Sequence, residues 1–140
     1  MKFIIHWLKI FAQYFANLPE NIKMNTGFQY IDTKQVEEIA GGDKEFLKEL
    51  VDIFLEQIPD FVKKITISFE TENWPVLARE AHTAKSSAMT FGMTKTAASL
   101  KDIQLNCEQG KLKNVPEMVR KVIEELKAAV PELESLQKSL

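Results

Sequence analysis

Arg79-Glu80-Ala81-His82-Thr83-Ala84-Lys85-Ser86-Ser87-Ala88-Met89-Thr90-Phe91-Gly92-Met93 has the period of an amphipathic helix and runs into a glycine. At about 100° per residue, Leu77, Ala81, Ala84, Ala88 and Phe91 fall on one narrow apolar face. His82 lies about 140° from the middle of that face by the same arithmetic, so it points to solvent. Ala78 and Ser86 stand one turn to either side of it, with Lys85 and Met89 flanking. Gly92 terminates the helix. A core histidine would sit on the other side.

Working outward, the same period recurs along the chain. A short helix is expected from Asp32 or Thr33 to Ala40, with Val36 and Ile39 as its apolar contacts and Asp32-x-x-Gln35 as a capping box. Gly41-Gly42 ends it, and Asp43 caps a long helix whose apolar positions are Phe46, Leu47, Leu50, Ile53, Phe54, Ile58, Phe61 and Ile65. Pro59 should kink or split that helix, which ends near Glu70. Asn73 caps the helix that carries His82, with Pro75 in its first turn. Thr94 caps a further helix through Gly110, with Ala97, Leu100, Ile103 and Cys107 inward. Asn114-x-x-Glu117 with Pro116 starts the last one, which carries Val119, Val122, Ile123 and Leu126 and should bend at Pro131. Four long helices joined by short loops imply an all-α, up-down-up-down four-helix bundle with a short preceding helix.

The first 18 residues form a separate problem. Phe3, Ile4, Ile5, Trp7, Leu8, Ile10, Phe11, Tyr14, Phe15 and Leu18 make a strongly apolar run, interrupted by Lys2, His6, Lys9 and Gln13 and stopped by Pro19. It is too short and too interrupted for a confident membrane span, and Lys9 and His6 fall inside the apolar region a signal peptide would need. The expected organisation is an apolar, helical N-terminal extension over residues 1–24, preceding a bundle over residues 25–140. The extension is read as a packing helix within one chain or between two, making a homodimer. An amphipathic membrane contact through residues 1–18 is the less favoured reading, and Met24 is an alternative start.

Composition excludes several function classes. With 45% hydrophobic and 27% charged residues the 140-residue chain is globular rather than disordered, and its length suits a single domain. A net charge of −2, with no basic run longer than a pair such as Lys63-Lys64, argues against nucleic acid as a partner. Cys107 is the single cysteine, so no internal disulfide can form, and a reducing, cytoplasmic location is the natural reading. Two histidines cannot build a His-based metal cluster. A di-iron bundle wants Glu-x-x-His on two helices, and the residue three before His82 is Arg79. Neither a nucleotide-binding glycine loop nor a Gly-x-Ser-x-Gly elbow occurs. The chain therefore has no visible ATP site.

Most solvent-facing histidines do nothing. What sets His82 apart is its outward aim, a lysine three residues on and small residues a turn away. A neutral imidazole nitrogen is a competent phosphoryl acceptor near neutral pH, and Lys85 can supply charge to the equatorial oxygens of a transferring group. The set His82, Lys85, Ser86, Ser87, then Phe91-Gly92 resembles the signature of histidine-containing phosphotransfer (HPt) domains, roughly His-x-x-Lys-Gly-Ser followed by Leu-Gly or Phe-Gly. Leu100 and Cys107-Glu108 fill the later Leu and Glu of that pattern, and Gly41-Gly42-Asp43 ahead of an apolar helix is similar to the family's usual opening. The resemblance covers about Ile31 to Val130. Ser86 departs from it, standing where the family most often has Gly.

The resemblance implies a phosphorelay intermediate. His82 would take a phosphoryl group on Nε2 from a receiver-domain aspartate and pass it to another receiver. Nδ1 would be held by a polar residue of the adjacent helix, for which Gln57 is the match. Ser86 or Ser87 would bond phosphate oxygens, although Ser87 also reads as a packing residue beside Ala88. Ala78 would leave room for the partner and Met89 would offer it an apolar contact. The implied partners are response-regulator receiver domains and a hybrid sensor kinase. No cofactor is expected on the chain itself, with Mg²⁺ on the receiver. The competing reading is a helical adaptor or dimerisation module that keeps the fold without phosphoryl chemistry.

Overall fold

The computed structural model of the chain describes residues 27–140, and the expected 1–24 extension lies outside the described residues. Five helices follow in order: α1 Lys34–Ala40, α2 Lys44–Glu70, α3 Trp74–Thr90, α4 Thr94–Gln109 and α5 Val115–Ser139. No strand occurs among the described residues. Each long helix packs on its neighbour in sequence, and α5 returns to pack on α2, which closes the ring of an up-down-up-down bundle. The α3–α4 contact is the most extensive of these. Its cause is the small face of α3, where Ala78, Ala81, Ala84 and Ala88 are all buried, so the backbones can come close.

Local signals fix where each helix starts and stops. Gly41 takes the left-handed conformation at φ +60° and closes α1, its N–H donating to the Glu37 and Glu38 carbonyls. Asp43 caps α2, its side chain accepting from the Phe46 N–H at 3.1 Å. Asn73 does the same for α3 through the Val76 N–H at 3.4 Å. The remaining caps differ from the sequence reading. Asp32 accepts from Lys34 N–H rather than closing a box with Gln35, and Thr33 is the N-cap residue of α1 without a side-chain cap bond. Met93, one residue before Thr94, is the N-cap of α4. Asn114 makes no side-chain cap bond, and Glu117 pairs with Arg120 instead.

Neither proline interrupts its helix: α2 runs unbroken through Pro59 and α5 through Pro131. Both are exposed, so the carbonyl that each leaves without its N–H partner lies on the watery side of the helix. Of the apolar positions read for α1 and α2, Ile39, Phe46 and Ile53 are exposed, and Ala40 takes the inward place expected of Ile39. The core proper is Val36, Val51, Phe54, Ile58, Ile65, Leu77, Leu100, Ile103, Val115, Val122, Leu126 and Leu133, each under 2% exposed. Burying side chains of this size contributes about 1.5–3 kcal/mol apiece. That far outweighs the exposed pairs Lys64–Asp60 and Arg120–Glu124.

Four contacts hold the segment ahead of α1 and the helices in register. Glu132 on α5 accepts from the backbone N–H groups of Tyr30, at 2.9 and 3.0 Å, and Ile31, at 3.2 Å. Gln137 donates to Asp52 at 2.5 Å, joining α5 to α2. Phe54 stacks on Phe91 with ring centroids 4.7 Å apart, joining α2 to the end of α3. Beside that ring, Asp32 N–H donates to the Phe91 carbonyl at 2.9 Å. Gly92, at φ +69°, lies so close to Asp32 that a Cβ there would sit 2.5 Å from both its Cβ and its carbonyl oxygen. The glycine is thus required twice, by its backbone angle and by the chain that crosses it.

Candidate functional site

Two flanks of α3 have to be told apart. Ser87 and His82 are five residues apart, about 140° around the helix axis, so they meet different neighbours. Ser87 faces α2, where its hydroxyl donates to Gln57 Oε1 at 2.9 Å. His82 faces α4, where its Nδ1 lies 3.1 Å from Gln104 Oε1. Gln104 in turn donates from Nε2 to Glu108 Oε1 at 3.1 Å, one turn further along α4. The residue beside the imidazole is therefore Gln104, not Gln57, which is engaged with Ser87 on the opposite flank.

The other residues read from sequence fall as follows. His82 is exposed, as its helical phase requires, and Nε2 has no hydrogen bond among the described residues. Lys85 is half-buried beside it and forms no ion pair among the described residues. Ser86 is exposed and its hydroxyl makes no bond among the described residues, while its carbonyl accepts from Thr90 Oγ1 at 3.0 Å. Met89, at 50% exposed, offers bare apolar surface on the same side of α3. Ser87 does not join this group, since its hydroxyl is turned to α2. Ala78 does not either: it is 6% exposed and belongs to the core, because the buried stripe of α3 widens at its start. Gly92 is structural, ten residues beyond His82 at the far turn.

Sequence reasoning missed Gln104. Its signal was faint: a polar residue just after Ile103 and one turn after Leu100, on the edge of the apolar stripe of α4, with a carboxylate at i+4.

The arrangement is an imidazole fixed through one ring nitrogen and open at the other, on a rigid helix, with a lysine one turn away. Among the described residues no group of His, Cys, Asp and Glu could hold a metal ion, and no helix is long and apolar enough to cross a membrane. Nucleophilic or proton chemistry of the single imidazole is what the site can offer.

A bundle of this topology with an outward histidine on its second long helix defines a class, and the family model for the Hpt domain matches residues 49–136. The chain belongs to the Hpt domain family, whose members serve phosphotransfer in two-component signalling and interact with response-regulator receiver domains. Among solved structures it is similar to histidine-containing phosphotransfer protein B (HptB) from Pseudomonas aeruginosa PAO1, with a TM-score of 0.73 at 14% identity. That likeness covers 79% of this chain and 96% of the other, and it shows the shared fold. A search of curated proteins finds no match.

Proposed function

We propose that the chain is a phosphorelay intermediate in which His82 accepts a phosphoryl group from a receiver-domain aspartate and hands it to another receiver. The observation that carries this reading is the contrast between the two ring nitrogens. Nδ1 is held against Gln104 and Nε2 is open to solvent. With the proton on Nδ1, the Nε2 lone pair attacks phosphorus as the bond from phosphorus to the aspartyl oxygen breaks, and the carboxylate leaves with the electron pair. The ring becomes cationic, its Nδ1–H still donating to Gln104 Oε1, which stabilises the charge that develops. Return transfer to a second aspartate is the same step reversed.

Lys85, three residues after the nucleophile on α3 and in no ion pair among the described residues, would meet the equatorial oxygens. Ser86, exposed on the same side, would bond a phosphate oxygen, and Met89 would give the receiver an apolar contact. The receiver would bring the acyl phosphate and the Mg²⁺. Docking of this kind is transient and modest in area. A hybrid sensor kinase is the expected upstream source.

The test is label transfer from a panel of phosphorylated receivers to the natural chain and to His82→Gln. Acid-labile, base-stable label on the natural chain alone supports the relay. A folded chain that binds a receiver but is labelled by none of the panel would instead make it an adaptor.

A further inference from the structure

We infer that Glu108 is a positioning residue that selects the reactive tautomer of His82 by fixing which end of the Gln104 amide faces the ring. A glutamine amide can present either an acceptor or a donor to an imidazole nitrogen, and a neutral imidazole can match either one. If the amide oxygen faces Nδ1, that nitrogen carries the proton and Nε2 keeps its lone pair. If the amide NH₂ faces Nδ1, the proton sits on Nε2, and the outward nitrogen has no pair with which to attack. The His82–Gln104 contact at 3.1 Å is compatible with both on distance alone.

Glu108 breaks the symmetry. An ionised carboxylate only accepts, and Glu108 Oε1 stands 3.1 Å from the amide nitrogen of Gln104. Turning the amide over would set oxygen against oxygen at that distance while removing a charge-assisted bond. The amide nitrogen is therefore committed to Glu108, the amide oxygen to Nδ1, and the lone pair to Nε2. All three residues lie at the solvent-facing seam of α3 and α4, so the bias is moderate. Hydrogen bonds to a charged group of this exposure predict roughly a three- to tenfold preference for the Nδ1–H form. Glu108 touches neither substrate nor the reacting atoms, and acts through Gln104.

The mechanistic meaning of this preference rests on the phosphotransfer reading, but the preference itself does not. It is measured on the unphosphorylated protein, from the nitrogen-15 shifts of the His82 ring in the neutral form. The natural chain should show Nδ1 protonated and Nε2 unprotonated. Glu108→Ala should move the tautomer ratio toward Nε2–H by about three- to tenfold, with helical content and thermal midpoint close to those of the natural chain. In a Gln104→Glu background a carboxylate oxygen faces Nδ1 whichever way it turns, so adding Glu108→Ala should leave the tautomer unmoved. An unchanged ratio in the single variant overturns the proposal, as does an equal shift in both backgrounds, which would make Glu108 a bulk charge rather than a selector. If the tautomer shifts as expected and yet no receiver labels His82, the proposal stands and the relay reading fails.

Discussion

Replacing Gly92 by alanine loads two penalties onto one atom. The backbone there is left-handed at φ +69°, which costs a residue with a Cβ about 1–2 kcal/mol. The new Cβ would also meet Asp32 at 2.5 Å, against both its Cβ and its carbonyl oxygen, and 3.0 Å from its Cα. Backbone cannot swing aside as the end of a long side chain can, and overlap of this kind costs about 1–3 kcal/mol. Lower entropy of the unfolded chain returns about 0.4–1 kcal/mol. The net expectation is a loss of about 1–5 kcal/mol. Urea unfolding followed by circular dichroism should show a lower midpoint with an unchanged slope, which marks a change of stability rather than of denatured-state compactness. His82 lies ten residues back along α3, about 15 Å at 1.5 Å per residue, so its Nδ1 contact with Gln104 should survive in the folded fraction. A loss below about 1 kcal/mol would mean that the Asp32 strand of chain does not cross Gly92 this closely, and the argument from the 2.5 Å contact would fail.

Other consequences are simpler to check. Glu132→Ala strips the acceptor from the Tyr30 and Ile31 N–H groups and should cost about 1–3 kcal/mol in the same urea assay, with faster amide exchange at those two residues. Burial, and secondarily the nearby Glu108 charge, push the Cys107 thiol above its ordinary value. Its reaction with a thiol reagent at pH 8 should therefore be slow in the native protein and fast in urea; rapid native labelling would refute its burial. The bond to Arg120, and then its charge, hold Glu117 below the ordinary carboxylate value. Any stability from that pair is present above the unfolded carboxylate value and is lost as pH falls through the lowered folded one. Because both groups are exposed, Arg120→Ala should leave the neutral thermal midpoint nearly unchanged and move the acid-unfolding midpoint only slightly upward.

The helices were legible because burial in this fold follows period. The alanine face of α3, the inward residues of α4 and the glycine stops all stand where 3.6 residues per turn put them. The caps were less legible, since Asp32, Thr94 and Asn114 have the residue type of a cap but form other bonds or none. The prolines misled for a physical reason: a missing N–H is tolerable where the orphaned carbonyl faces water, as it does on the exposed sides that carry Pro59 and Pro131. The site divides the same way. Helical phase put His82 outward, about 140° from the core face, but phase is a property of one helix. Which neighbour lies on the left flank and which on the right depends on how the bundle winds. Phase alone therefore allows Gln57 as the partner of the imidazole, whereas α2 borders the Ser87 flank and α4 borders the His82 flank. Ala78 was misplaced by a related error, because the width of a buried stripe is set by how closely the next helix approaches.

The measurement that bears most directly on the relay is a two-receiver chase. A radiolabelled receiver is mixed with the chain, and an unlabelled second receiver is added once the label has moved. The account predicts label leaving the first receiver, appearing on the chain only when His82 is present, and then passing to the second receiver. Label that reaches the second receiver equally well with His82→Gln, or that never enters the chain, would contradict it.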